Sequence, residues 1–141
     1  MATLTVGPGE MFARIADAVD ASSPDDTIVV AAGNYPNDFG SCAHSITIEC
    51  VKGWAVASAT ELCPNGKGIF TLGSPGAVIQ LSGIEITGAR VPDENGAAIR
   101  YEGGRLLLTI CHLHHNENGI LANADPVGDI KLDDCEVDHN G

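Results

Sequence analysis

Imidazole and carboxylate side chains recur at matched spacings in the second half of this chain. Two series share steps of 27 and then 24 residues: Glu85, His112 and Glu136, and Thr87, His114 and Asp138. An imidazole held between carboxylates is suited to general acid-base chemistry or to metal binding. We therefore predict Glu85, His112 and Glu136 as candidate catalytic residues. The alternative interpretation is a solvated polar face on which opposite charges stack.

Shorter polar series follow directly after these residues. His115 and His139 are 24 residues apart, and so are Asn116 and Asn140. The two histidines are weak candidates for holding a surface metal, whereas stacked asparagines at a turn can bind the backbone of neighbouring segments. The pair Asp133-Asp134 resembles a catalytic carboxylate pair, but it falls at a corner between two predicted strands, where Asp is a favoured turn residue.

The segments that must position these side chains are 79–86, 106–113 and 130–137, and they align without gaps. Apolar residues take alternate positions in each segment, and a kink is predicted after the fourth residue. A repeat of this length indicates a solenoid in which each coil packs only against its neighbours. Equivalent side chains would then stack in columns about 4.8 Å apart. The spacing therefore predicts that the two polar series share one outward face.

Each coil contains a third predicted strand ahead of its aligned segment. Apolar pairs mark it in three coils: Phe70 with Leu72, Ala97 with Ile99, and Ile120 with Ala122. Further short strands are predicted at 27–30, 45–48, 69–72 and 78–81. The sequence thus predicts an all-β, three-sheet solenoid of about five short coils, a single domain over residues 1–141 with its coils in 27–141.

One amphipathic helix is predicted before the coils, from Glu10 to Ala21. Phe12, Ile15 and Val19 lie at helical spacing, and Pro24 ends the pattern. A helix in this position would cap the first coil.

Charge limits the classes of partner. Seven Lys and Arg residues against 19 Asp and Glu residues give a net charge of -12, which argues against nucleic acid and anionic membranes. No apolar run approaches the roughly 20 residues of a membrane helix. Cations, neutral sugars or another protein surface are the expected partners.

The five cysteines cannot all pair within one chain. Cys111 and Cys135 would share an inward column, where we expect two small buried apolar side chains. If the protein is secreted, a bridge is expected among Cys42, Cys50 and Cys63, with Cys42 and Cys63 the favoured partners. Zinc bound by these three thiols and by His44 is the alternative.

Two parts of the sequence carry a family resemblance. The opening Val6-Gly7-Pro8-Gly9, the helix and residues 24–35 resemble the first segment of pectate-lyase-like right-handed parallel β-helices, and residues 111–120 and 135–141 resemble their repeats. The resemblance covers nearly the whole chain except about 38–65. It implies a right-handed parallel β-helix with an N-terminal capping helix. It also implies a secreted or cell-surface protein, although the first six residues lack the features of a signal peptide.

The same resemblance implies a protein directed at polysaccharide, with lyase, hydrolase or epimerase chemistry along the outer face of one sheet. His114, Asp138 and Arg100 are then candidate substrate-binding residues, and calcium is a candidate cofactor. One departure concerns the polygalacturonase branch, because Asn118 stands where that branch has a catalytic Asp. The alternative is a non-catalytic scaffold or a saccharide-binding or assembly module.

The last coil ends in mid-repeat at Asn140-Gly141. An uncovered solenoid end exposes strand edges and a cross-section of the core. We therefore expect either further coils of a longer chain or an end-to-end homo-oligomer.

Overall fold

The computed structural model describes residues 1–122 and 128–141. One helix, α1, spans Ile15–Ala21. The strands are β1 Thr3–Val6, β2 Asp26–Val30, β3 Gly33–Pro36, β4 Gly40–Cys42, β5 Ile46–Glu49, β6 Ala55–Ser58, β7 Gly68–Leu72, β8 Val78–Ser82, β9 Ile84–Thr87, β10 Ala97–Tyr101, β11 Gly104–Thr109, β12 His112–His114, β13 Asn118–Ala122, β14 Gly128–Asp133 and β15 Glu136–Asp138.

The strands form three parallel sheets. The six-stranded sheet has the order β1-β2-β5-β8-β11-β14, the four-stranded sheet β13-β10-β7-β4, and the five-stranded sheet β15-β12-β9-β6-β3. Strands that follow one another, such as β8, β9 and β10, lie in different sheets, and β11 returns to pair with β8. The predicted all-β solenoid with three strands per coil is therefore confirmed.

The gapless alignment of the three repeats is confirmed by the strand pairing. Leu106 lies opposite both Ile79 and Ile130, and Leu113 lies opposite both Ile86 and Val137. The apolar side chains that alternate along these strands face inward and are buried in all but the last coil. Each such side chain that is fully buried contributes about 1.5–3 kcal/mol of hydrophobic free energy, so the register is held along the whole core.

The predicted alignment of the third strand was wrong by two residues. Ile99 lies opposite Phe70, and Tyr101 lies opposite Leu72, whereas the alignment had matched Ala97 and Ile99 to that pair. Between equivalent positions at this turn the chain is two residues shorter in the later coil, because Tyr101 to Arg105 takes four residues and Leu72 to Val78 takes six. A shift of two residues leaves the inward and outward faces unchanged, so the apolar pattern could not detect it.

The helix begins five residues later than predicted, at Ile15 rather than Glu10. Phe12 forms a parallel bridge with Val6, and its backbone exchanges hydrogen bonds with Thr5 and Gly7. These bonds pair the backbone of Phe12 with the end of β1. The sequence did not predict β1. The backbone of this segment is therefore committed to strand pairing and cannot be helical.

Asp38 caps α1 from 22 residues away in the sequence. Its carboxylate oxygens accept the backbone N–H groups of Ile15 and Ala16 at 2.6 and 2.8 Å. The residue before the helix, Arg14, makes no side-chain cap itself. Burial raises the pKa of Asp38, and the two N–H donors oppose that shift. The helix packs against β4, β1 and β2, so this bond joins it to the first coils.

All five cysteines are free thiols. Cys42 ends β4 of the four-stranded sheet, Cys50 follows β5, and Cys63 lies beyond β6, so the predicted Cys42–Cys63 bridge is not formed. The zinc alternative is not supported either, because the ring nitrogens of His44 contact Ser22 Oγ and the Ser45 carbonyl.

Cys111 is buried in the core, as predicted, and burial raises the pKa of its thiol to about 11. Its column neighbour Cys135 is only partly buried. Cys135 belongs to the last coil, in which the inward side chains Ile130, Leu132 and Val137 are also exposed.

No helix in the described ranges is long and apolar enough to cross a membrane.

The first corner of each repeat requires a left-handed backbone. Gly83 has φ +69°, and its equivalents Ile110 and Asp134 both have φ +52°. A Cβ at Gly83 would also collide with the backbone carbonyl of Cys50 in the neighbouring coil. Gly76 has φ +88° but open space around it.

We predict that Gly83→Ala destabilises the protein more than Gly76→Ala. The control variant bears only the backbone strain, about 1 kcal/mol, whereas the collision at Gly83 should bring the loss to about 3 kcal/mol. Urea unfolding followed by circular dichroism measures both. Equal losses would show that close stacking of the coils does not constrain this corner.

A second prediction concerns acid. Asp26 is buried, and the N–H groups of Ser23 and Ala2 donate to its carboxylate, which lowers its pKa below 3.8. Because the folded-state pKa is the lower one, this carboxylate stabilises the fold above about pH 4, and the contribution is lost as the pH falls through the folded-state pKa.

The stability difference between the native chain and Asp26→Asn should therefore shrink as the pH falls below 4. The exposed Asp20→Asn variant is the control and should show no comparable trend. Chemical unfolding at a series of pH values measures the difference. A difference that stays constant down to pH 2 would contradict this role of Asp26.

Candidate functional site

The outward face of the five-stranded sheet carries the predicted site. Its strands stack in register, so outward residues form two continuous rows across five strands: Asn34, Val56, Glu85, His112 and Glu136, and Pro36, Ser58, Thr87, His114 and Asp138. The last three members of each row are the two series seen in the sequence. The structure thus brings together five of the six candidate catalytic and substrate-binding residues.

The shortest contact of His112 is diagonal, to Asp138, and its contact within its own row is longer. Its Nε2 lies 2.7 Å from Asp138 Oδ1 and 3.4 Å from Glu136 Oε2. Both partners are on β15, the adjacent strand, and diagonal neighbours on paired strands are within reach of long side chains. As carboxylates only accept, Nε2 carries the proton. His112 is therefore oriented by two carboxylates on one side.

His114 contacts a carboxylate on β9, the strand on the opposite side of β12 from β15. Its Nε2 lies 3.1 Å from Glu85 Oε2, and its Nδ1 lies 2.7 Å from His115 Nδ1. When the proton is on His114 Nε2, Nδ1 accepts the bond from His115. The rings of His112 and His114 are 4.1 Å apart between centroids. Two imidazole–carboxylate pairs therefore lie side by side on the sheet.

Asp138 connects this pair of imidazoles to the next corner. Its second oxygen, Oδ2, lies 2.7 Å from His139 Nδ1. The hydrogen bond from His112, followed by the one from His139, lowers the pKa of Asp138. His139 stacks on His115 with an interplanar angle of 2° and a centroid distance of 5.1 Å. Four histidines and three carboxylates are thus connected into one network by hydrogen bonds, ion pairs and the stacked rings.

Two asparagines hold the corner beside the network. Asn116 is buried, its Oδ1 accepts the N–H of Ala89, and its Nδ2 donates to the carbonyls of Ile86 and His114. Asn140 repeats the pattern one coil later: its Oδ1 accepts the N–H of Asn116, and its Nδ2 donates to the carbonyl of Leu113 in the preceding coil. The backbone role expected for these asparagines is confirmed.

The corner histidines are held in unusual backbone conformations by this ladder. His115 and His139 have φ values of +55° and +52°, a region that few residues other than glycine adopt. Their Nδ1 atoms are already bonded to His114 and Asp138. The stacked pair offers two nitrogen ligands at most, so a metal held between them stays a prediction with little support from the geometry.

Arg100 is not part of this face. It lies in β10 of the four-stranded sheet, where its Nε is 3.5 Å from Glu102 Oε1. His112 lies in β12 of the five-stranded sheet, so the two residues belong to different sheets. Asp133 ends β14 and Asp134 has φ +52°, so the turn interpretation of that pair is confirmed.

Two groups on the face bring three potential metal ligands within 4.8 Å of one another: Glu85, His112 and His114, and His112, Glu136 and Asp138. Calcium takes six to eight oxygen ligands, and neither group has more than two carboxylates. The donor set therefore matches a metal that accepts imidazole nitrogen. The calcium expectation stays a prediction.

The sequence did not predict one contact that holds the loop beside the site. Glu117 Oε1 accepts the N–H groups of Val91 and Gly96 at 2.8 Å each, which fastens the loop between β9 and β10 to the next coil. The repeat spacing does not mark such a contact, because the equivalent loop of the next coil, residues 115–117, is only three residues long.

Comparison of the chain with protein-family models, with curated proteins and with solved structures gave no match. A function for this chain is therefore inferred from the geometry of this face and from the family resemblance of the sequence.

Proposed function

We propose that this chain is a right-handed parallel β-helix of the pectate-lyase-like type that acts on polysaccharide at the outer face of its five-stranded sheet. The observation that supports the proposal most directly is the pair of imidazole–carboxylate contacts, His112 with Asp138 and His114 with Glu85, on one face. Positioned imidazoles are the usual groups for proton transfer near neutral pH.

The shape of the face favours an extended ligand. Small molecules bind in concave pockets. One cleft of the protein lies at the far end of the two rows, around Asn34 and Pro36, and another lies at the corner between Trp54 and Ile110, so both are away from the histidines. The face instead presents two parallel rows of side chains. One of them continues from His114 through the hydroxyl groups of Thr87 and Ser58. Hydroxyl side chains in a row can bind successive units of a sugar polymer.

Charge narrows the class of polymer. The net charge of -12 repels a polyuronate at long range. Within the face itself Glu85, Glu136 and Asp138 accept N–H groups of the imidazoles, and a neutral imidazole leaves the negative charge of a carboxylate in place. A neutral polysaccharide is therefore the favoured ligand, and an acidic one would need a bridging cation.

In this proposal His112 is the proton-transfer residue. Asp138 and Glu136 hold its Nε2–H, which orients the ring and stabilises the imidazolium that forms when the other nitrogen accepts a proton. His114 and Asp138 would contact the sugar or orient the neighbouring groups. The arrangement serves lyase, hydrolase or epimerase chemistry equally, because each needs a positioned acid or base.

The test is an activity and binding panel over neutral, pectin and alginate polymers. We predict turnover, measured by new reducing ends or by ultraviolet absorption of unsaturated product, that falls by about 100-fold or more in His112→Ala. Gln80→Ala, an exposed outward position on the six-stranded sheet, is the matched control and should retain full activity.

Turnover that is unchanged in His112→Ala would refute this site even if the protein were an enzyme. Binding without turnover, lost in His112→Ala, would identify a saccharide-binding module instead.

The second candidate function is a non-catalytic assembly scaffold. The exposed inward side chains Ile130, Leu132 and Val137 of the last coil favour this function. A coil with a neighbour on one side only can bury such side chains against further coils or against a second copy of the chain. The net charge of -12 would oppose self-association at low salt.

We expect the sedimentation coefficient of the protein to rise with concentration in moderate salt, and less so in low salt. Leu132→Asp should abolish the rise, whereas the adjacent Lys131→Asp, on the outward side, should reduce it only slightly. A single concentration-independent monomer in both salts would rule out self-assembly through this end.

A further inference from the structure

We propose that Glu85, His112 and His114 form a binding site for a divalent transition metal of the zinc class, on the outer face of the five-stranded sheet. Two imidazoles and one carboxylate form a three-ligand set that zinc uses with a fourth position open to water. The proposal concerns the metal alone and does not depend on a saccharide ligand.

The ligand atoms are already near coordination distance. His114 Nε2 and Glu85 Oε2 are 3.1 Å apart, and one ligand atom from each of the three residues lies within 4.8 Å of the others. Ligands of a tetrahedral zinc ion at 2.0–2.1 Å are roughly 3.3 Å from one another. Small rotations of side chains suffice to reach that geometry, and the backbone need not move.

The backbone beneath the three ligands is well supported. Glu85 lies on β9 and the two histidines on β12, and each of these strands is paired on both sides. The three side chains are 25%, 25% and 18% exposed in chain order. They are thus fixed by their neighbours and partly desolvated, which reduces the entropy lost when a metal binds.

The other group of three ligands is less well prepared. Glu136 and Asp138 are 75% and 43% exposed, and both lie on β15, which is paired on one side only. Within that group the Nε2 of His112 is engaged by both carboxylates. We therefore assign the metal to Glu85 and His114 with His112, and give Asp138 a supporting role.

Groups behind the ligands would orient them. Ligating histidines usually donate their second N–H to a carboxylate or another acceptor. His114 Nδ1 has His115 Nδ1 at 2.7 Å, so that a proton displaced from Nε2 by the metal can be held on Nδ1 and donated to His115. His112 has Asp138 at 2.7 Å as the corresponding carboxylate partner.

The choice of metal follows from the donors. Imidazole nitrogen suits zinc, copper, iron and nickel, whereas calcium and magnesium take oxygen ligands. With a single carboxylate in the set, zinc is bound in preference to calcium. The open fourth position would hold water.

The test is isothermal titration of the protein with zinc chloride, and separately with calcium chloride. Free thiols also bind zinc, so the background is Cys135→Ser, since Cys135 is the least buried of the five cysteines. We expect one zinc site and no calcium binding. Glu85→Gln and His114→Ala should each weaken zinc binding by about tenfold or more, whereas Glu136→Gln should change it little.

Thermal unfolding of each variant without metal shows whether it is folded, and the visible spectrum of bound Co²⁺ shows whether thiolate is a ligand. The proposal is supported if folded Glu136→Gln still binds zinc and folded Glu85→Gln does not. The proposal is overturned by the absence of zinc binding, by a thiolate spectrum, or by binding that needs Glu136 and not Glu85. None of these outcomes depends on polysaccharide activity.

Discussion

The in-register stacking of parallel strands is the constraint on which the rest of the structure depends. Because each strand pairs with its equivalent one coil away, every inward position must be filled by a side chain that tolerates a like neighbour above and below. The column of Ile84, Cys111 and Cys135 meets this condition with small or medium apolar groups. The same stacking places outward residues in rows, so the core and the candidate site have one cause.

Corners bear the strain of this arrangement. A coil with short strands must turn sharply, and the backbone reaches the left-handed region at Gly83 and at the non-glycine residues Ile110 and His115. Such conformations cost of order 1–3 kcal/mol each and need compensation. The buried amide of Asn116, which bonds the backbone on both sides of its corner, supplies part of that compensation.

The parallel register and the corners together set the geometry of the candidate site. Parallel register sets the distance between neighbouring rows, and the corner directs His115 back against His114. The outcome is a network in which each of His112 and His114 has a carboxylate partner on a different adjacent strand. A polar face without this register would carry the same residue types at random distances. This face is distinguished by two imidazole–carboxylate pairs that lie next to one another.

The sequence by itself determined the three-strand coil, the columns over residues 79–137 and the face that carries His112, because alternation and spacing are read directly from residue types. It could not determine the length of α1, since Phe12 follows a helical pattern but pairs with Val6 through its backbone. Nor could it reveal the two-residue shift at Ile99, which preserves the apolar pattern.

The pairing on the site was likewise decided only by tertiary structure. The rows place His112 beside Glu85 and Glu136, yet the closest carboxylate is that of Asp138, because side-chain length and rotamer choose between direct and diagonal neighbours. The free state of Cys42 and Cys63 has the same kind of origin, since the fold places Cys42 at the end of β4 and Cys63 in the loop between β6 and β7. Periodicity decides which residues share a face, and three-dimensional packing decides which of them touch.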